Sequence, residues 1–381
     1  MITIEQLYAQ EDPVQLKKTW DKFIFLNPGF SFLKRETTTQ AIQEDDHSFP
    51  LNAFQFALFP DESVDGAQER LHQCMNRGIR AVNELSGRYL DSVVNEVVQL
   101  REIPSPFDFF EFVKTAREHW ERAFLKRRRV DPEGRAVAYS YLQAIEFGYR
   151  VGMIDSCPEV LNSLRHFGTA TSRLERFIGF SDPQITPRED YPVEWSTQAK
   201  VLVYSSDGNI PMRKRVKYRA GNDSSEPRYS SILMKMYAQL EFPDEINDYL
   251  GVEIITKDDP ASDGLLSFFR RNARPAGILE RFKDSSVGKQ PGQASSAEFK
   301  VKKFLLRVPV RIDDVSEPQT GRAYQSVPIE VQILTYKDAM NRDAVPEISH
   351  VEYKRRQFLG VFPAWFPREI YEPLLRAKGI S

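Results

Sequence analysis

Cysteine is almost absent from this chain: Cys74 and Cys157 are the only two in 381 residues. Two thiols cannot build a disulfide framework or a four-ligand structural zinc site. Charge bias is lacking as well, with 52 Lys and Arg against 54 Asp and Glu and a net charge of −2. That balance excludes a global attraction to nucleic acid and leaves only local patches to provide one. No apolar run approaches the length of a membrane span. The start, Met1-Ile2-Thr3-Ile4-Glu5-Gln6, lacks the basic-then-apolar plan of a signal peptide. A cytoplasmic chain with no membrane partner is expected. Walker A, G-x-S-x-G and H-E-x-x-H patterns are missing, and no internal repeat is evident.

What is present is enough for packed cores, with 41% apolar and 12% aromatic residues. The length favours two domains. The first half has helical spacing. Leu71, Met75, Ile79, Val82 and Leu85 mark one helix within 65–101, and Phe109, Phe112, Val113, Trp120 and Phe124 mark another within 108–129. Asp131-Pro132-Glu133 is a helix start leading to Tyr139, Leu142, Ile145 and Tyr149. Residues 158–177 are expected to be helical, with Leu161, Leu164 and Phe167 inward. Pro183, Pro187 and Pro192 punctuate a polar stretch that marks a boundary. Beyond it come a hairpin (200–205 with 212–219), a helix over 230–240 and a strand over 251–256. A helix over 263–271, strands over 299–312 and 329–335, and a closing helix over 367–377 follow. The expected fold class is α+β: an all-α region at 1–190, followed at 196–381 by a mixed sheet flanked by helices.

Four stretches carry chemistry. In Pro328-Ile329-Glu330-Val331-Gln332-Ile333-Leu334-Thr335, strand alternation sends Glu330 and Gln332 to one face and Val331 and Ile333 to the other. A carboxylate on a packed sheet face is costly unless it meets a metal or a cation. Ser231 and Lys235 lie four apart at the start of a helix, where a hydroxyl and an ammonium can hold one phosphate; a capping serine and a solvated lysine are the plainer reading. Asp248-Tyr249-Leu250-Gly251 leads into a strand, where an aspartate is commonly a turn residue. Phe299-Lys300-Val301-Lys302-Lys303 opens the strand before the Glu330 strand, and a basic edge strand also explains its lysines. Asp46-His47 is a reversed pair, and His72, His119 and His166 read as ordinary surface or half-buried residues.

With His350-Val351-Glu352-Tyr353-Lys354, these stretches resemble the RelA/SpoT-type nucleotide pyrophosphokinases. That family shows E-V-Q-I-R-T followed by H-x-x-Y-K, and here Leu334 stands at the arginine. Ser231-Ile232-Leu233-Met234-Lys235 is similar to its S-I-x-x-K element, although Ser225 and Pro227 replace the preceding R-x-K. Asp248 and Gly251 match D-x-x-G-x-R-I, with Glu253 at the arginine. The resemblance covers roughly 200–362. It implies a polymerase-β-like nucleotidyltransferase that moves the β,γ-diphosphate of ATP to a 3′ hydroxyl. By that likeness, Asp248 and Glu330 are catalytic and hold Mg2+, and Ser231, Lys235, Arg228, Arg219 and Lys217 bind the phosphates of ATP. Phe299 stacks the acceptor base, joined by Lys300, Lys303, Gln332, His350, Tyr353 and Lys354. The acceptor is GDP or GTP, or the tRNA 3′ end as in toxin relatives; a non-catalytic nucleotide- or partner-binding relative is the remaining alternative. A partner antitoxin or regulatory protein and a homo-oligomer are also compatible with the family.

Overall fold

The computed structural model describes residues 32, 36–89, 92–125, 132–177, 202–203, 212–216, 229–239, 242–246, 249–256, 258–275, 277–283, 301–311, 324–344, 358, 361 and 366–379. The chain is mixed α and β and divides into two compact units. One unit gathers 1–157, 229–240 and 357–381, and the other gathers 158–228 and 241–356. None of the described helices is long and apolar enough to cross a membrane.

In the first unit, α1 (Glu36–Gln43), α2 (Ser48–Leu58), α3 (Val64–Tyr89), α4 (Ser92–Val98) and α5 (Phe109–Trp120) precede α6 (Pro132–Asp155). Sixteen of the 24 residues of α6 are buried. A helix covered on nearly all sides must be central, and α3, α5, α2, α4 and the late helices pack around it. Leu71, Met75, Ile79, Val82 and Leu85 line the inner face of α3 as their spacing predicts. Phe109, Val113 and Trp120 are buried on α5, whereas Phe124 falls in a π-helical turn (Glu121–Leu125) and is exposed, because the wider turn rotates it off the apolar stripe.

The crossing of α3 and α6 is set by two glycines. A Cβ added at Gly78 would stand 2.7 Å from the Ala144 carbonyl oxygen and against the Gly148 backbone. Backbone cannot step aside as a side chain can. Gly78→Ala is therefore expected to cost about 1–3 kcal/mol, toward the upper end. A urea unfolding curve superimposable on the wild type would refute this close approach.

Two helices distant in sequence complete this unit. The first, α8 (Tyr229–Gln239), is anchored at both ends by tyrosines. The Tyr229 hydroxyl donates to Asp155 Oδ1 at 2.8 Å, and Arg77 Nη1 donates to Asp155 Oδ2 at 2.8 Å. At the other end the Tyr237 hydroxyl donates to Gln143 Oε1 at 3.4 Å, and its ring lies 4.4 Å from the Arg150 guanidinium carbon. Arg150 in turn donates to Glu146 at 2.9 Å. Full burial pushes the Tyr237 phenol well above its ordinary pKa. The second, α11 (Arg368–Ala377), packs on α6 with Tyr139, Phe366 and Tyr371 meeting edge to face.

The second unit contains α7 (Pro158–Phe177), β1 (Leu202–Val203), β2 (Met212–Val216), β3 (Leu250–Thr256), α9 (Asp259–Asn272), β4 (Leu279–Lys283), β5 (Lys302–Arg311), β6 (Tyr324–Thr335) and α10 (Tyr336–Ala344). The six strands run in the order β1-β2-β3-β6-β5-β4, with β3 and β6 parallel and every other pair antiparallel. Val252, Ile254, Phe304, Leu306, Val308, Val327, Ile329, Val331 and Ile333 form its apolar face. That face packs with α7 and α9: Phe269 meets Phe304 at 4.9 Å, and Phe177 meets Phe268 at 5.2 Å. Asp258 caps α9 by accepting from Ala261 N at 2.9 Å.

Phe167 is buried as expected, but Leu161 is 40% exposed, and the inner stripe of α7 is completed by Val160, Ser163, Ala170 and Leu174. The contacts gather elements from both sides of the expected boundary between 1–190 and 196–381. Helix α7 belongs with the sheet, while α8 and α11 join the helices. An amphipathic stripe demands a core but does not say which one. The boundary stretch 179–195 itself lies outside the described residues.

Candidate active site

Strand β6 places the central acid. Val327, Ile329, Val331 and Ile333 are fully buried on one face, so the even positions point to the other. On that other face, Gln332 is 6% exposed, whereas Glu330 is half-buried and Ser326 is exposed. Gln332 Nε2 donates to Glu330 Oε2 at 2.7 Å, which orients the carboxylate. Burial thus deepens toward the C-terminal end of the strand, where α10 contacts both β6 and β3. Helix α10 begins at once because the Thr335 hydroxyl accepts from Asp338 N at 3.1 Å and donates to its carboxylate at 2.6 Å. Glu330 stands where the covered part of the face gives way to solvent.

Cross-strand register assembles the rest. Gly251 and Glu253 of β3 stand opposite Glu330 and Gln332. Lys303, Leu305 and Arg307 of β5 stand opposite Gln332, Glu330 and Pro328. Glu253 is only 1% exposed and has Arg213 of β2 as its register partner. Lys303, Arg307 and Arg311 of β5 occupy positions on the Glu330 face, together with the acids Glu253 and Glu330.

A cavity of about 90 Å3 lies at the edge of the sheet and is lined from both faces, by Arg307, Ser326 and Pro328 on the Glu330 side and by Leu250 and Gln325 on the other. The β5–β6 register begins at Arg311 and Tyr324, but β3 first meets β6 at Gly251 and Glu330. The stretch before Glu330 thus lacks a β3 partner, and the cavity is lined there by Ser326, Pro328, Arg307, Tyr249 and Ser163, with Glu159 and Asp244 exposed on its rim. A wider depression of about 510 Å3 on α11 is lined by Arg368, Glu372, Pro373 and Arg376 and contains none of the motif residues.

Of the residues singled out in the sequence, Glu330, Gln332 and Lys303 share one face of the sheet unit. Lys235 is half-buried on α8 in the helical unit, and Ser231 is on the same helix. Asp248, Arg228, Arg219, Lys217, Phe299, Lys300, His350, Tyr353 and Lys354 lie outside the described residues. Glu253 and Arg307 were not expected. Alternation within Lys302–Arg311 already pairs Arg307 with Lys303, but only the register shows that this face is the one carrying Glu330.

The plain readings hold elsewhere. Asp46 Oδ1 accepts from Ser48 N at 3.1 Å and from its hydroxyl at 2.7 Å. The Ser48 hydroxyl thereby lowers the Asp46 carboxyl below its usual range and fixes the start of α2. His47 rests on Phe110 at 4.2 Å, and His119 stacks on Tyr141 at 5.2 Å with its pKa lowered by burial. Among the described residues no group of three or more His, Cys, Asp or Glu gathers as a metal cage. No protein-family model, curated protein or solved structure matches the chain.

Proposed function

We propose that the chain is an ATP-dependent nucleotide pyrophosphokinase of RelA/SpoT type that transfers the β,γ-diphosphate of ATP to the 3′ hydroxyl of GDP or GTP. The observation that carries this reading is Glu330: a half-buried carboxylate, oriented by Gln332, at the open edge of a sheet face that also carries Lys303 and Arg307. Phosphoryl-type transfer depends mainly on positioning and charge stabilisation, for which a carboxylate flanked by cations is suited.

A magnesium ion would suit Glu330 together with substrate phosphates. Mg2+ takes hard oxygens, usually one or two carboxylates together with substrate phosphates. Glu330 would provide one carboxylate. Asp248, whose place outside the described residues is only three positions before Gly251, the register partner of Glu330, would provide the other. Bound there, the ion neutralises triphosphate charge. The chain's own groups then divide the remaining work. Lys303 and the basic positions beside it hold anionic oxygens, and Gln332 keeps the Glu330 carboxylate aimed at the open edge. As the 3′ oxygen bonds to the β-phosphorus, its proton passes to the Glu330 carboxylate and AMP leaves with the bridging oxygen.

A second acceptor is favoured by one observation. Tyr324 is 57% exposed and pairs in register with the exposed Arg311 on the same face. An aromatic beside a row of cations suits single-stranded nucleic acid, such as the 3′ end of tRNA.

Incubating the purified protein with γ-32P-ATP and Mg2+, in separate reactions with GDP, GTP and bulk tRNA, tests the reading. Label in a guanine nucleotide is the expected result. Label in tRNA alone would select the second acceptor, and no labelled acceptor in any reaction would reject transfer altogether.

A further inference from the structure

We infer that Lys303 and Arg307 form a clamp for a linear polyphosphate, with Arg307 as a phosphate-binding residue of the same site. The inference takes its ligand class from the transfer reading above. Its geometry is independent of that reading. Leu305 is the β5 residue directly opposite Glu330, and Lys303 and Arg307 lie two positions to either side of it on the same face. Each is therefore a diagonal neighbour of Glu330, at about 7–8 Å between backbones in an antiparallel pair. The acid is bracketed by two long cationic side chains, with a half-buried leucine between them.

This spacing selects among phosphates. Four residues of strand separate the two cations by about 13 Å. Side chains reaching inward from both ends can take the two ends of a phosphate chain. They cannot easily converge on one orthophosphate. Arg307 is exposed, and among the described residues it is the cation lining the 90 Å3 cavity beside Pro328. Arg307 thus borders a concavity, and the fork geometry of a guanidinium suits phosphate oxygens. The arginine that the motif lacks at Leu334 is, on this view, supplied from the neighbouring strand.

Calorimetry on the full chain with inorganic tripolyphosphate and with orthophosphate tests the clamp in wild type, Arg307→Ala and Lys303→Ala, each checked for an unchanged melting temperature. Wild type should prefer tripolyphosphate. Each alanine variant should weaken tripolyphosphate binding about tenfold or more, as expected when one charge-assisted hydrogen bond is lost. Equal affinity of wild type for the two anions, or Arg307→Ala binding within twofold of wild type, would overturn the clamp. If such variants are silent while the wild type still transfers diphosphate, the clamp fails and the transfer reading survives. Arg307-dependent tripolyphosphate binding without any transfer would leave the clamp standing and remove the reaction.

Discussion

Replacing Glu330 with glutamine is expected to lower turnover by about 10³-fold or more while leaving the fold intact. The substitution keeps the shape of the side chain, and its amide oxygen can still accept from Gln332 Nε2, the bond that measures 2.7 Å in the native protein. What it removes is the negative charge at the open edge of the sheet face and the group that takes the acceptor proton. Strand β6 should tolerate this, because its packing resides in Val327, Ile329, Val331 and Ile333 on the other face. The measurement is single-turnover transfer of labelled diphosphate alongside a thermal melt. Near-normal turnover would reduce Glu330 to a structural acid, and a large loss of melting temperature would show that it supports the sheet.

The largest loss of stability is expected in the helical unit. Glu146 is 0% exposed, and it accepts from Arg150 at 2.9 Å within the central helix α6. Removing one partner of a buried ion pair strands the other charge, so Glu146→Ala should cost about 3–5 kcal/mol. Replacing both partners with apolar residues of similar volume is a different experiment. Glu146→Leu combined with Arg150→Met should regain most of that loss, because no charge is left behind. Urea unfolding of the single and double variants separates the two cases. A single variant within 1 kcal/mol of wild type would mean that water reaches Arg150 after all.

Local pattern made much of the architecture readable. Alternation in β6 identified which face Glu330 occupies, because buried branched residues fill every odd position from Val327 to Ile333. The Pro132 start of α6, the β1–β2 hairpin and α8 follow from short-range signals of the same kind. Long-range choices were not legible. The inner stripe of α7 includes Ser163 and Thr171, both buried, so hydrophobicity alone placed Phe167 correctly but turned Leu161 inward. Glu253 read as a lost arginine, since only strand order reveals Arg213 opposite it. Arg307 was overlooked for the same reason: its meaning comes from Pro328 and Glu330 on a strand 21 residues later, and no window of sequence contains that register.

The route of the backbone has a consequence for inheritance and for dissection. Because the chain leaves the helical unit and returns to it twice, no single cut releases either unit whole. A fragment ending at Cys157 would lack α8 and α11. Asp155 and Arg150 would lose their tyrosine neighbours, and the surface of α6 would open to water. A fragment starting at Pro158 would carry α8 with Ile232, Leu233 and Met236, all buried in the intact protein, but without α3 and α6, the helices on which α8 packs. Neither half could be gained, lost or exchanged by simple end-to-end joining of genes. Recombination that exchanges one unit for another therefore needs more than one junction in the gene.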